Sequence, residues 1–155
     1  MAETEMTAKR LRDLYLKGTL PQRYGVACQR IDQPGLGPSV LVNAVSALEG
    51  FSRAVAVRAL VRAGTRLQAA YEYHRGTGVV DLIAKHICPA FQTTPIAAFG
   101  AQAWKQIPEA VEFRNLLIHE AAFLNGGTCK RLIGASRHCL DRLAEVTGAA
   151  GGKCQ

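Results

Sequence analysis

The sequence predicts an all-α fold, a bundle of four to six helices. Apolar residues recur three and four positions apart over long stretches, which is the pattern of one buried helix face. No stretch alternates apolar and polar residues in the manner of a half-buried strand, and glycines and prolines separate the periodic segments. A chain of 155 residues, 48% of them hydrophobic, has the size of one domain. We expect a single helical domain over residues 1–147 and a flexible tail over residues 148–155.

The first half of the chain is predicted to hold two helices joined by an irregular connection. The first helix covers residues 4–17 and ends before Gly18, because glycine commonly follows a helix end. Residues 19–38 contain three prolines and three glycines, which favours an irregular connection. Ser39 then serves as the N-cap of a long helix over residues 40–63. Apolar residues at helical spacing mark its core-facing side: Leu41, Val45, Leu48, Val55 and Ala59.

Shorter periodic segments follow in the second half. We expect helices over residues 66–75, 79–87, 95–104, 108–125 and 129–146. The second of these should end before Pro89, since the residue preceding a proline disfavours helical geometry. Pro108 should stand in the first turn of the fourth, where no backbone N–H is needed, and Gly126 and Gly127 should end that helix.

The charge of the chain favours a polyanionic partner. The net charge is +7 and the pI is about 9.5. Basic domains of this kind attract RNA or an acidic protein. This composition also fits a globular chain and excludes a largely disordered one.

The cysteines and the chain start indicate a cytoplasmic protein without a cofactor. The five cysteines are scattered and include no Cys-x-x-Cys pair, so neither a disulfide framework nor a zinc module is expected. The histidines and cysteines near residues 119–139 give no closed four-ligand spacing, and we expect no metal site. Residues 1–5 do not resemble a secretory signal, and polar residues interrupt every long apolar run, so we expect no membrane association.

The candidate active site lies in the apolar segment at residues 113–120. Residues four apart on a helix differ by about 40° in direction, so Asn115 and His119 share a face. The long side chain of Arg114 can reach that face. The three residues supply a permanent cation for a phosphate, an imidazole that changes charge near neutral pH, and an amide that can orient either group. This set of groups suits metal-free cleavage of RNA.

The segment from Arg114 to His119, RNLLIH, resembles the signature of the HEPN superfamily, in which an Arg, a polar residue, three more residues and a His lie on one helix. The resemblance implies an all-α bundle and an endoribonuclease of toxin–antitoxin, abortive-infection or CRISPR-associated type. It also implies a homodimer with two motifs in one cleft, and a possible antitoxin or regulatory partner. Other members are inactive modules that bind a partner protein or a nucleotide, and this alternative stays open. The tyrosine modified in some HEPN toxins is Ala121 here, so that form of control is not expected.

Each residue of the motif has a role under the ribonuclease hypothesis. His119 transfers a proton to or from the reacting oxygens, Arg114 holds the phosphate, and Asn115 orients one of them. One imidazole is not readily both acid and base in the same step, so a second His119 from a partner copy is expected. The alternatives are a partly buried imidazole bonded to a carbonyl, a surface ion pair of Arg114 with Glu109 or Glu112, and a solvent-facing amide.

Two acidic residues are candidates to support the site. Glu49 interrupts the apolar side of the long helix, where it can pair with Arg114 across the bundle. Glu120 would favour the imidazolium form of His119 if it touched it, but neighbouring residues point about 100° apart on a helix.

A basic stripe completes the set of candidate residues. Arg58, Arg62 and Arg66 lie four apart and form one side of the long helix. This stripe can follow an RNA backbone, and a solvated helix face explains it equally well.

Overall fold

The computed structural model of the protein describes residues 6–120 and 123–151. These ranges contain helices and no strand, which confirms the predicted all-α class. The elements are α1 (Ala8–Lys17), α2 (Leu20–Ile31), α3 (Pro38–Arg62), α4 (Leu67–His74), α5 (Val79–Asp81), a π-helix (Leu82–Ile87), α6 (Cys88–Ala90), α7 (Pro95–Phe99), α8 (Ala101–His119), α9 (Gly126–Thr147) and a 3-10 turn (Ala149–Gly151).

Helix α3 is the centre of the bundle. It packs against α2, α4, α8 and α9, and its buried residues include Leu41, Val45, Leu48 and Val55, as predicted from their spacing. Among the described helices α3 has the length and mean hydropathy (1.4) of a membrane-spanning segment. In this structure, however, 67% of that apolar window is buried inside the bundle, as expected for the core helix of a globular fold.

The predicted irregular connection over residues 19–38 is wrong, because α2 occupies most of it. Thr19 Oγ1 accepts a hydrogen bond from the Gln22 N–H (3.3 Å), and Gln22 Oε1 accepts one from the Thr19 N–H (2.9 Å). This reciprocal capping box opens the helix, and Pro21 lies in its first turn, where its missing N–H has no consequence. Residues three and four apart then face the core: Tyr24, Ala27, Cys28 and Ile31.

Two other prolines lie at or within helical segments. Helix α3 begins at Pro38 with Gly37 as its N-cap, so Ser39 is not the cap. Pro89 does not end its helix either, since α6 continues directly from the π-helix. There the Cys88 N–H bonds to the Ile83 carbonyl five residues back, and this wider turn gives the proline ring room that an α turn would not.

Helix α8 carries the candidate motif, and both of its ends differ from the prediction. It begins after Gly100, whose φ of +89° is a conformation that favours glycine, and Pro108 therefore lies in its interior. The helix ends at His119, and the glycines at 126 and 127 belong to α9. Asn125 caps α9, accepting a hydrogen bond at Oδ1 from the Thr128 N–H (2.9 Å).

Packing extends past residue 147. Gly148 ends α9 in the left-handed conformation (φ +76°), and the 3-10 turn after it places Ala149 in the core. The rest of the expected tail, residues 152–155, lies outside the described residues. One cluster of buried side chains connects α2, α3, α8 and α9 around the candidate motif helix.

Candidate functional site

Arg114 faces the bundle. Its Nη2 lies 3.0 Å from Glu49 Oε2, and its Nε donates to Asn115 Oδ1 at 2.9 Å. Only 15% of its side chain is exposed. The predicted ion pair with Glu49 across the bundle is confirmed. The alternative pair with Glu109 is wrong, because Glu109 receives two hydrogen bonds from Arg131 (2.8 and 3.0 Å).

Glu49 is shared between two guanidinium groups. Its Oε1 accepts a hydrogen bond from Arg53 Nη2 (2.8 Å), while Oε2 is held by Arg114. Arg53 also donates to the carbonyls of His74 (3.2 Å) and Thr77 (3.0 Å). The cluster therefore ties α8 to α3 and to the turn after α4. Two cations and one carboxylate leave it with one net positive charge, which is a suitable environment for a phosphate.

Asn115 and His119 lie on the outer side of α8. Both are exposed and line one shallow depression of about 360 Å³. Its other lining residues are Pro108, Val111, Glu112, Leu116 and Glu120. His119 is exposed and none of the residues that the structure describes forms a hydrogen bond with its ring, so the alternative of a partly buried imidazole bonded to a carbonyl is wrong.

Asn115 links the two parts of the motif. Its Oδ1 holds the Arg114 guanidinium, and it lines the same depression as His119, one helical turn further on. Glu120 also lines this depression and caps the end of α8, its N–H bonding to the Leu116 carbonyl. The structure therefore brings together Glu49, Arg114 and Asn115 as one connected group. His119 stands beside that group, on the solvent side.

The predicted basic stripe is divided in the fold. Arg58 Nη2 donates to the carbonyls of Leu16 (2.8 Å) and Gly18 (2.9 Å), so it satisfies the end of α1. Arg62 and Arg66 are exposed. Arg58 is nine residues from Glu49, about 900° of helical rotation, and so lies on the opposite side of α3.

A buried histidine was not anticipated from the sequence. His74, in the last turn of α4, is fully buried, and neither ring nitrogen has a hydrogen-bond partner among the described residues. Its ring meets those of His86 and Tyr73 edge to face, at centroid distances of 4.6 and 4.9 Å. Burial lowers the pKa of His74, and the neighbouring His86 and Arg53 lower it further. Nothing in the sequence distinguishes this histidine from an exposed one.

The described residues offer no evident metal or thiolate chemistry. Within residues 6–120 and 123–151 no three His, Cys, Asp or Glu side chains are grouped so that they could hold a metal ion. Cys88, Cys129 and Cys139 are free and buried. Burial raises the pKa of all three thiols, that of Cys139 to about 12, so these thiols are held in the unreactive protonated form.

Comparison of the chain with protein-family models, with curated proteins and with solved structures finds no match. The protein is therefore described by its fold and its site alone. It is an all-α bundle with an exposed imidazole and amide at the end of α8, beside an internal ion-pair cluster.

Proposed function

We propose that the protein is a metal-independent endoribonuclease of HEPN type that acts as a homodimer in the cytoplasm, in bacterial defence or as a toxin. The observation that carries the proposal is the exposed pair of Asn115 and His119, with the Asn115 amide holding the Arg114 guanidinium at 2.9 Å. This arrangement offers a solvent-accessible proton-transfer group beside an oriented cation.

The proposed reaction uses the RNA as its own nucleophile. The ribose 2′-oxygen attacks the adjacent phosphorus, a base takes the 2′-hydroxyl proton, and the bond from phosphorus to the 5′-oxygen breaks. An acid gives a proton to that leaving oxygen. The products carry a 2′,3′-cyclic phosphate and a 5′-hydroxyl. No metal-bound water is required, and DNA is inert because it lacks the 2′-hydroxyl.

His119 performs one of the two proton transfers. The second is assigned to the His119 of a partner copy, because a single imidazole does not serve as base and acid in one concerted step. Arg114 holds the phosphate. Its guanidinium has five N–H donors, of which Glu49 and Asn115 engage two, so donors remain for a phosphate oxygen.

A second candidate function is a catalytically inactive module that binds a partner protein. It is favoured by the apolar side chains that flank His119: Ile118 is 52% exposed and Phe123 is 93% exposed. Exposed large apolar side chains are available for contact with a partner protein. The low exposure of Arg114 also suits a structural role for that residue.

Product analysis separates the two functions. The purified protein is incubated with a mixed-sequence RNA and with the matching DNA, both in excess EDTA. The ribonuclease proposal predicts RNA fragments ending in a 2′,3′-cyclic phosphate, and intact DNA. Intact RNA under all conditions favours the inactive module, whereas cleavage abolished by EDTA contradicts the metal-independent mechanism.

A further inference from the structure

A basic groove lies on the side of α3 opposite Glu49. It consists of two adjoining depressions of about 400 and 570 Å³, which share Leu20, Arg58 and Arg62. The start of α2 and the end of α3 form its walls. Its size is in the range of small-molecule binding sites.

The described residues that line the groove carry positive charge without a compensating carboxylate. They include Lys17, Arg58 and Arg62, and none of them is acidic. In the described part of the chain none of these three cations forms an ion pair. By contrast, five arginines outside the groove each form an ion pair with a carboxylate: Arg53, Arg114, Arg131, Arg137 and Arg142. Because Arg58 and Arg62 are like charges one helical turn apart, a bound anion would relieve their repulsion.

Arg58 is already fixed in place. Its Nη2 is bonded to the carbonyls of Leu16 and Gly18, which holds the guanidinium at the groove wall. Its Nε and Nη1 donors are not engaged by any described residue. A side chain ordered before binding loses little conformational entropy when a ligand arrives, which favours a specific site over a general basic surface.

The floor of the groove is apolar. Val55, Leu20 and Phe91, which follows α6, line one of its two depressions. Phe91 and Leu20 are only partly buried against the core, so part of each remains available for contact. An aromatic face next to a cluster of cations matches a ligand that joins a planar base to phosphate.

We propose that this groove binds a nucleoside phosphate, with the phosphates on Arg58, Arg62 and Lys17 and the base against Phe91. The site is independent of RNA cleavage, because it lies on the opposite side of α3 from the Glu49 cluster, about two and a half turns further along the helix, and contains neither Asn115 nor His119. Of the three arginines of the predicted basic stripe, Arg58 and Arg62 line this groove and Arg66 does not.

Arg66 supplies a matched control. It is exposed and follows Arg62 by four residues, but it lies beyond the end of α3, as the N-cap of α4, and lines neither depression. Isothermal titration of the whole protein with ADP should show binding to the wild type. Arg62→Ala should weaken it at least tenfold and Arg66→Ala less than twofold. Absence of ADP binding to the wild type, or equal losses in the two variants, would overturn the proposal, the latter indicating a general polyanion surface.

Two further variants identify the parts of the ligand and separate this site from the active site. Phe91→Leu keeps the apolar volume but removes the aromatic face, so it should weaken ADP severalfold and leave pyrophosphate binding unchanged. Equal weakening of both ligands would contradict a base-binding role for Phe91. His119→Ala should bind ADP as the wild type does, whether or not RNA cleavage is observed; a loss in this variant would contradict the independence of the groove.

Discussion

The outer end of α8 and the groove on the far side of α3 are chemically opposite. The α8 surface has an imidazole and an amide, but its arginine is held by Glu49. The groove has three cations without an ion pair in the described residues, but no histidine lines it. The candidate proton-transfer group and the cations without an ion pair therefore lie on opposite sides of α3. An arginine that a carboxylate has already paired keeps only its unengaged N–H donors for an anion.

The same contrast explains how the predicted site residues are distributed. Arg114 and Arg58 both stand in patterns that suggest phosphate contact. The fold uses both to bind protein oxygen atoms, a carboxylate for Arg114 and two carbonyls for Arg58. Substitutions that remove these arginines or their oxygen partners should therefore have the largest effects on the stability of the two regions.

Glu49→Gln is expected to have the largest effect on stability. It leaves the partly buried Arg53 and Arg114 side by side without their shared charge, at a cost of about 2–4 kcal/mol. Glu109→Gln is the matched control, because it breaks a solvent-exposed pair with Arg131 and should cost much less. Urea unfolding of both variants measures the difference. Equal losses would mean that the Glu49 cluster is not a structural centre.

Arg58→Ala is expected to have a smaller effect, confined to one end of the molecule. It removes two hydrogen bonds to the last turn of α1, which should cost about 1–2 kcal/mol. Amide exchange should increase in α1 and in the turn at Gly18 more than in α9. Arg66→Ala, with no such bond among the described residues, should leave exchange in α1 unchanged. Unaltered exchange in α1 of the Arg58 variant would contradict the capping role.

His74 is expected to have the smallest effect near neutral pH and a growing one in acid. The pKa of His74 in the folded protein lies below the unfolded value of about 6.5. Just below that pH, therefore, the imidazole binds a proton in the unfolded chain but stays neutral in the folded protein. The contribution of the neutral His74 to the free energy of unfolding is therefore complete above pH 6.5 and is lost as the pH falls below 6.5 toward the folded pKa. Unfolding free energies of wild type and His74→Phe between pH 8 and pH 5 measure this, and the variant should show the shallower decline. Parallel declines would contradict a neutral buried imidazole.

Much of the fold could be predicted because it depends on local spacing. The buried side of α3 follows from the positions of Leu41, Val45, Leu48 and Val55. The pairing of Glu49 with Arg114 could also be anticipated, since a carboxylate within an apolar helix face needs a counter-charge.

The errors concern prolines and long-range contacts. The sequence predicts an irregular connection around Pro21 and helix boundaries at Pro89 and Pro108. The structure places these prolines respectively in a first turn, after a π-helix and inside α8. A proline is tolerated wherever its missing hydrogen bond is not needed or the turn is widened, and this depends on neighbouring structure. The bonds of Arg58 to residues about 40 positions earlier depend on how α1 packs, and the sequence near Arg58 does not encode them.

Cleavage of RNA by wild type, His119→Ala and Arg62→Ala, compared in excess EDTA, tests the account most directly. Loss of general acid–base catalysis lowers rates by about 10²–10⁴-fold, so His119→Ala should fall by at least about a hundredfold while remaining folded by circular dichroism. Arg62→Ala should keep its cleavage rate within a few-fold, because the groove lies on the other side of α3. A His119→Ala protein that cuts RNA at the wild-type rate would contradict the assignment of catalysis to the end of α8.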